Sequence, residues 1–320
     1  MLTGLLAGAT WALETVVLGI ALGMSPFVST EQAIFLAPFV STFLHDSLSG
    51  IFLIIYNIIR GKLKELLGVF KSSSLKWLVL ASSVGGPIGM TGYVLAVNYM
   101  GASVGAVASA VYPAIGTLLA YIFLKERVAP YQWIFLIATL LGVYGLSYSP
   151  NLRIESFWLG LLGAFMCAFG WGIEAVILAK CLKDPNIKSE YALNIRQITS
   201  ALIYGVIILP IIGGWKFTAS LFTVDNSSLF LTIAAAALCA TVSYLLYYKT
   251  IGNVGASKAM ALNITYTAWA IIFTVIILRD LSVLSPFTLL CATVVMVCGI
   301  LAATDIKALF KKLTPEEKNK

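Results

Sequence analysis

The chain alternates between long apolar stretches and short polar segments along its whole length. Each stretch is about as long as the roughly 20 residues that an α-helix needs to cross the hydrocarbon core of a membrane. Because a backbone in lipid must satisfy its hydrogen bonds internally, we interpret these stretches as helices. The pattern predicts ten spans, at 3–24, 33–59, 77–98, 104–124, 131–148, 156–179, 189–212, 228–249, 257–278 and 286–304.

Only short polar or turn-forming segments connect the predicted spans. The first apolar stretch is too long for a secretory signal peptide and has no basic segment ahead of it, so we expect it to be a retained helix. None of the connections is long enough to hold a soluble domain, and the sequence therefore predicts a single all-α membrane bundle. The main connections are 60–76, 125–130, 149–155, 184–189 and 216–226.

Composition excludes a water-soluble protein. Hydrophobic residues make up 60% of the chain and charged residues 11%. Soluble globular domains contain about 45–50% apolar and about 25% charged residues. The five cysteines lie within or at the ends of apolar spans and have no metal-ligand spacing, so we interpret them as packing residues.

Basic residues are distributed unevenly between the two predicted faces of the membrane. With the amino terminus placed in the cytoplasm, 17 of the 21 Lys and Arg residues fall on the inner side, three on the outer side and one, Arg196, inside a span. Lys and Arg favour cytoplasmic loops, so both termini are predicted to be cytoplasmic. The net charge of +7 then reflects this bias and attraction to lipid headgroups, rather than binding to nucleic acid.

An internal repeat divides the chain in two. Trp11 and Glu14 in the first span recur as Trp171 and Glu174 in the sixth, 160 positions later. Five spans per half is an odd number, so the second half must be inverted relative to the first. The predicted fold is two inverted five-helix repeats, 1–150 and 151–305, with a basic cytoplasmic tail at 306–320, an architecture of secondary transporters. Further matches, spaced by 154, are Gly101-Ala102-Ser103 with Gly255-Ala256-Ser257, Tyr112 with Tyr266, Leu124-Lys125-Glu126 with Leu278-Arg279-Asp280, and Gly145 with Gly299.

The ten predicted helices, the short loops and the Gly-Ala-Ser turn before a Tyr-containing helix resemble the drug/metabolite transporter superfamily, in its EamA-type branch. Several segments resemble the bacterial choline permeases that supply choline for cell-surface decoration with phosphorylcholine. Glu14 departs from those permeases, which have a small residue at its position. The resemblance covers nearly the whole chain and implies choline or a related quaternary amine as substrate. The segments are 86–90, 109–115, 171–174, 196–200, 243–248 and 262–266, together with His45-Asp46.

The chemistry of the residues indicates the same class of substrate. A quaternary ammonium group has no N–H to donate, so a protein binds it with aromatic faces and a nearby carboxylate. Trp11 and Trp171 should face each other across the predicted symmetry axis, with an acidic residue three positions on along each helix. The predicted substrate-binding residues are Trp11, Glu14, Tyr93, Tyr112, Trp171, Glu174, Tyr244, Tyr247, Asn263 and Tyr266.

These residues also have a structural interpretation. Trp and Tyr anchor proteins at membrane interfaces, although Trp11 and Trp171 lie deep in their predicted spans. A carboxylate near the centre of a membrane normally marks a solute or proton pathway. The alternative for Glu14 and Glu174 is a structural pair with a hydroxyl group or with Arg196. Both interpretations stay open at the level of the sequence.

Proton coupling requires a buried group that changes its charge during transport. His45 and Asp46 lie in the middle of the second predicted span, and with Glu174 they are the predicted proton-coupling residues. The alternative is that His45 and Asp46 form a hydrogen-bonded packing pair. Glycines and a proline at 85–89 interrupt the third span and could form either a hinge or a static kink.

No nucleotide-binding loop, metal-binding cluster or nucleophile elbow is present in the sequence. We therefore expect no enzyme activity, no cofactor and no metal. The expected function is a secondary transporter in the cytoplasmic membrane that imports choline or a related cation with protons, by alternating access, as a monomer or a homodimer among membrane lipids. An EamA-type exporter of amino acids or other metabolites is the alternative, and a membrane-embedded enzyme or lipid scramblase is a third hypothesis.

Overall fold

The structure, a computed structural model, describes residues 1–101, 107, 109–148 and 156–306. Within these ranges the chain forms helices joined by turns and contains no β-strand. In the part of the chain that the structure describes, eight helices are long and apolar enough to cross a membrane, and two further apolar helices are shorter. In chain order the helices are α1 (Leu2–Leu22), α2 (Glu31–Ile59), α3 (Leu63–Val69), α4 (Leu75–Met100), α5 (Tyr112–Leu124), α6 (Pro130–Leu146), α7 (Phe157–Cys181), α8 (Ser189–Ile211), α9 (Trp215–Ser220), α10 (Ser227–Val254), α11 (Ala256–Leu278) and α12 (Pro286–Ala303).

The predicted spans agree closely with these helices. Each span coincides with one of the apolar helices, and their ends differ by at most five residues except at the start of the fourth span, 104–124. That start lies partly outside the described residues, the connection at 149–155 lies entirely outside them, and so does most of the basic tail. The short helices α3 and α9 were not predicted, since segments of 7 and 6 residues carry no readable period.

The surface of the bundle is apolar, and polar side chains lie inside it. Phe123, Ile134 and Ile211 are 71%, 65% and 78% exposed, whereas Gln197 and Asn263 are completely buried. Large exposed apolar areas are uncommon on soluble monomers. Lipid tails cover such a surface at no hydrophobic cost, so the arrangement suits a membrane.

Helices α4 and α7 cross closely at glycine residues. A Cβ atom at Gly163 would lie 2.5 Å from the carbonyl oxygen of Gly92 and 2.7 Å from the backbone nitrogen of Ala96. Small residues let membrane helices approach backbone to backbone, where van der Waals packing holds them together. This crossing brings α4, which carries Tyr93, against α7, which carries Trp171.

Helix α4 widens into a π-helical turn at Val84–Ile88. Pro87 lies in this turn and has no N–H to donate, so the wider turn accommodates the lost α-helical hydrogen bond. The interruption predicted at 85–89 is therefore present as a local change of helix type within a continuous helix. Its use as a hinge stays a prediction.

Positive φ angles recur at matching positions of the two halves. Residues with a side chain rarely adopt this backbone conformation. A positive φ nevertheless occurs at Lys125, where α5 ends, and at Arg279, where α11 ends. These two positions are 154 residues apart, which is the spacing of the sequence repeat. The two halves thus share local turn geometry as well as sequence. The pairs are Gly61 with Gly213, Gly101 with Gly255, and Lys125 with Arg279.

Glu126, between α5 and α6, caps the amino-terminal end of α11. Its carboxylate accepts hydrogen bonds from the backbone nitrogens of Ala256 (2.8 Å) and Ser257 (3.1 Å), and from the Ser257 hydroxyl (2.7 Å). A carboxylate is favourable here because it satisfies free N–H groups at the positive end of the helix dipole. The contact ties the first half of the chain to the second.

A second set of polar contacts joins α3 and the start of α4 to the segment around the start of α8. Glu65 accepts hydrogen bonds from the Lys188 ammonium group and from the Tyr191 hydroxyl (2.7 Å), and these bonds hold the pKa of Glu65 below its usual value. Nearby, Asp184 accepts a hydrogen bond from the Ser74 hydroxyl at 3.0 Å. The distribution of basic residues assigns the segments that carry Glu65, Asp184 and Glu126 to the cytoplasmic side.

Candidate functional site

A cavity of about 310 Å³ lies between helices of the two halves. This volume is at the lower end of the range for small-molecule sites, about 300–1,000 Å³. The wall combines aromatic rings with acidic and basic groups. The lining residues are Trp11, Glu14, Thr15, Leu18, Gly19, Leu22, Thr42, His45, Asp46, Gly86, Met90, Tyr93, Ser109, Trp171, Arg196, Ala240, Ser243, Tyr244 and Tyr266.

The two tryptophans of the repeat are in contact beside this cavity. The ring centroids of Trp11 and Trp171 are 6.2 Å apart, with 66° between the ring planes. Trp11 also contacts Tyr244 at 5.2 Å and stacks on Tyr266 at 5.6 Å. Trp171 stacks on Tyr93 at 6.2 Å. Aromatic rings attract one another at these separations, so the five rings hold each other in place around the cavity.

Four of the predicted binding residues lie behind this wall. Tyr112 contacts the Trp171 ring at 5.7 Å and accepts a hydrogen bond from the Asn263 amide at 3.1 Å. Tyr112, Tyr247 and Glu174 line a neighbouring space of about 20 Å³, which is room for about one water molecule. In this conformation these residues support the tryptophans from below the cavity.

Five buried ionisable side chains form a continuous series of contacts beside the rings. Each of them is at most 8% exposed. Glu14 Oε1 lies 3.7 Å from His45 Nε2, and His45 Nδ1 lies 2.9 Å from Asp46 Oδ1. Arg196 then donates from Nη1 to Asp46 Oδ2 (3.2 Å) and from Nε to Glu174 Oε1 (3.3 Å). These contacts connect α1, α2, α8 and α7.

Arg196 was not among the predicted binding residues, yet it lines the cavity and lies at the centre of these charged contacts. Its guanidinium group is also placed over the ring of Tyr244, with 4.9 Å from Cζ to the ring centroid. A pair with Arg196 was the structural alternative for Glu174, and this pair is present. The signal was the arginine itself, because a charge inside an apolar span requires a partner.

A chain of hydrogen bonds holds Arg196 from behind. Arg196 Nη1 donates to Gln197 Oε1, and Gln197 Nε2 donates to Ser49 Oγ at 2.7 Å. The Thr241 hydroxyl donates to the Ala237 carbonyl (2.7 Å), so it accepts the hydrogen of Ser49 at 2.6 Å. Fully paired buried networks of this kind fix side chains in one arrangement. Sequence reasoning missed it, since single Gln, Ser and Thr residues in an apolar span follow no pattern.

Glu174 is held by two donors and by a glycine opposite it. Besides Arg196, the Tyr248 hydroxyl donates to Glu174 Oε1 at 3.0 Å. A side chain at Gly85, in the π-helical turn of α4, would overlap the Glu174 carboxylate. The glycine that interrupts the helical pattern therefore makes room for the buried ion pair. Tyr248 is another contact that the sequence analysis did not predict.

Residues 1–148 match the EamA-like transporter family. Along nearly its whole length the chain is also similar to Protein LicB of Haemophilus influenzae, with 26% identity over 306 residues that cover 96% of this chain and 97% of that protein. The amino-terminal 148 residues therefore match a family of transporters, and the whole chain is similar to LicB. The resemblance to EamA-type transporters that the sequence predicts is confirmed over these residues, and together with the apolar helices it indicates a multi-pass membrane transporter.

A solved crystal structure has the same overall arrangement of helices as this chain. The two superpose with a TM-score of 0.72 over 97% of this chain and 98% of the other, at 17% sequence identity. At this level of identity the likeness establishes the fold alone. The chemistry of the cavity has to be derived from the residues of this chain.

The charges of the candidate site favour a cation. When Glu14, Asp46 and Glu174 are ionised, Arg196 balances only one of them. Protonation of His45 would balance a second and still leave one negative charge in excess. Unbalanced charge in a low-dielectric interior is costly. A bound organic cation, in contact with the aromatic rings, would remove this excess.

Proposed function

We propose that this transporter imports choline or a related quaternary ammonium compound across the cytoplasmic membrane. The observation that carries the proposal is the cavity beside Trp11 and Trp171, where aromatic faces and an excess of carboxylates lie together. Such rings attract a cation that has no hydrogen to donate, and a nearby negative charge strengthens the attraction. The resemblance of several segments to choline permeases supports the same substrate class.

Export of amino acids is the alternative within the family. An amino acid would bring a carboxylate group into the cavity, and Arg196 is the cation available there. Asp46 and Glu174 already occupy Arg196 with hydrogen bonds of 3.2 and 3.3 Å. The geometry therefore favours a cationic solute over one that carries a carboxylate.

We further propose ten membrane crossings in two inverted repeats, 1–150 and 151–305. In chain order, the helices of the first half correspond to those of the second as α1 to α7, α2 to α8, α4 to α10, α5 to α11 and α6 to α12. When each helix is exchanged for its counterpart, the main helix contacts are reproduced. The contact of α1 with α10 becomes that of α7 with α4, and the contact of α5 with α7 becomes that of α11 with α1. The pairs α2–α8 and α6–α12 map onto themselves. The paired positive φ angles support the same relation.

In this topology the cavity opens toward the outer side of the membrane. Leu18 and Leu22, which line it, lie at the end of α1 that would face outward. The polar contacts of Glu126 and Glu65 would close the inner side. Inward release of the solute then requires these contacts between the halves to separate, as in alternating access by rocking of two repeats.

Substitution of Trp171 tests the aromatic site. Trp171→Ala should weaken choline binding by about 1–2 kcal/mol, roughly five- to thirtyfold in Kd, whereas Trp171→Phe should lose less because it keeps an aromatic face. Calorimetry on the purified protein measures both. Trp158→Ala is the matched control, since Trp158 lies on the same helix and is 77% exposed. Equal choline affinity in Trp171→Ala and the parent would remove the aromatic site from the account.

Proton coupling is proposed to involve His45 and Asp46, which are hydrogen-bonded at 2.9 Å, together with Glu174. Choline uptake into proteoliposomes should rise with an inward proton gradient at clamped membrane potential. His45→Gln should reduce this dependence, because glutamine cannot take up a proton. Asp46→Asn should alter it as well, although it also weakens the pair with Arg196. If choline uptake by the parent does not depend on the proton gradient, proton coupling is excluded. If both variants keep the parent's dependence on the gradient, His45 and Asp46 are excluded from the coupling mechanism.

The orientation of the chain is a separate prediction. The 17 to 3 distribution of basic residues places both termini in the cytoplasm. Reporter fusions after Ala303 and at Ser149 should therefore give opposite readings, with the first one cytoplasmic. A carboxyl terminus outside the cytoplasm would contradict the arrangement of five plus five crossings.

A further inference from the structure

Two buried acceptors, one on Glu14 and one on His45, lie close to each other on residues that line the cavity. Of the two carboxylates that line it among the described residues, Asp46 is paired with Arg196 and Glu14 is not. Glu14 Oε2 has a long contact of 3.4 Å with the Thr15 hydroxyl, and Oε1 lies 3.7 Å from His45 Nε2. That nitrogen is buried and has no hydrogen-bond partner within the described part of the chain.

The position of the imidazole hydrogen follows from the neighbouring carboxylate. An ionised carboxylate only accepts hydrogen bonds, so the contact of 2.9 Å between Asp46 Oδ1 and His45 requires the hydrogen on Nδ1. Arg196 stabilises Asp46 in its ionised form. In the neutral imidazole, Nε2 is then an acceptor. In this state, Nε2 and an ionised Glu14 carboxylate face each other as two acceptors with no hydrogen between them.

An unpaired buried acceptor is unfavourable, and one donor hydrogen between these two acceptors would satisfy both atoms. A ligand in the aromatic cavity can supply it. Glu14 follows Trp11 by three residues, so its carboxylate lies about one helical turn along the same wall. An ammonium group against the Trp11 ring could thus direct an N–H toward Glu14 and His45.

We propose that Glu14 and His45 form an acceptor notch, a pair of hydrogen-bond acceptors that binds an N–H group of the ligand. The substrate class then extends from quaternary ammonium ions to protonated amines, which bind more tightly than quaternary ions of similar size. This inference rests on the proposed cation site. It adds a specificity-determining contact that aromatic faces alone do not provide, because a ring attracts both kinds of cation.

The test compares tetramethylammonium with trimethylammonium, which is protonated near neutral pH and differs by one N–H in place of a methyl group. Calorimetric titration of the purified protein should show about tenfold or tighter binding of trimethylammonium, as expected for a hydrogen bond to a charged group. In Glu14→Gln the preference should fall to near unity, since the amide can itself donate to His45 Nε2. Glu174→Gln is the matched control: it removes a charge outside the cavity, so both affinities change while the preference persists.

The outcomes separate this inference from the proposed function. If neither cation nor choline binds, the cation site itself is wrong. If both cations bind the parent equally well, the acceptor notch does not select ligands that donate a hydrogen bond. This result is obtained with the parent protein alone. An undiminished preference in Glu14→Gln would also overturn the inference, while leaving the aromatic cation site in place.

Discussion

Arg196→Leu is expected to destabilise the protein by about 3–5 kcal/mol and to abolish transport. The substitution leaves Asp46 and Glu174 as buried carboxylates without their cation, and both are at most 8% exposed. A buried charge that loses its partner cannot recover its hydration. The free energy of unfolding in detergent, and choline uptake into proteoliposomes, measure the two effects.

Lys188→Leu is the matched control for this prediction. It also removes a basic partner of a carboxylate, Glu65, but the two side chains of that pair are 42% and 50% exposed. Solvent screens such a pair, so the loss of stability should be much smaller. If Arg196→Leu unfolds the chain, the triple variant with Asp46→Asn and Glu174→Gln should recover part of the stability. Equal stability of Arg196→Leu and Lys188→Leu would contradict these buried ionic contacts.

Gly163→Ala is expected to destabilise the protein by about 2–3 kcal/mol. The added Cβ would approach the Gly92 carbonyl oxygen to 2.5 Å and the Ala96 backbone nitrogen to 2.7 Å. Both atoms belong to the backbone of α4, so the clash cannot be relieved by rotating a side chain. The two helices have to separate, which removes van der Waals contacts along the crossing and shifts Trp171 relative to Tyr93.

The control is Gly68→Ala, where an added Cβ meets open space. This glycine lies in the short helix α3, and alanine there should be neutral or slightly stabilising because it favours the helix. Thermal unfolding in detergent should therefore separate the two variants. A Gly163→Ala protein that unfolds at the temperature of the parent would show that α4 and α7 do not pack at this distance.

Most of the fold could be predicted from the sequence because lipid imposes one simple requirement. A segment such as 157–181 must be mostly apolar and helical throughout, so its length and position are readable without knowledge of its neighbours. The helix pairs could be inferred only in outline, through the repeat of Trp11 and Trp171. The exact crossing of α4 on α7 depends on backbone contacts between glycines, which no pattern of hydrophobicity records.

The candidate site was predictable where the repeat placed residues together, and less so elsewhere. The repeat brought Trp11 to Trp171, and both line the cavity. Tyr112 and Asn263 were expected at the substrate, but in this conformation they lie behind the tryptophans, hydrogen-bonded to each other. Arg196 was considered only as a structural partner. Its two carboxylate contacts come from different helices, and such tertiary pairing cannot be derived from spacing along one chain.

Choline counterflow tests the central claim most directly. Proteoliposomes that contain the purified protein are loaded with unlabelled choline, and the accumulation of external radiolabelled choline is followed with and without excess phenylalanine. The account predicts accumulation that unlabelled choline suppresses, that phenylalanine leaves unchanged, and that Trp171→Ala reduces at low choline concentration. Folded protein that exchanges labelled phenylalanine but not labelled choline would contradict the account and favour the amino-acid exporter.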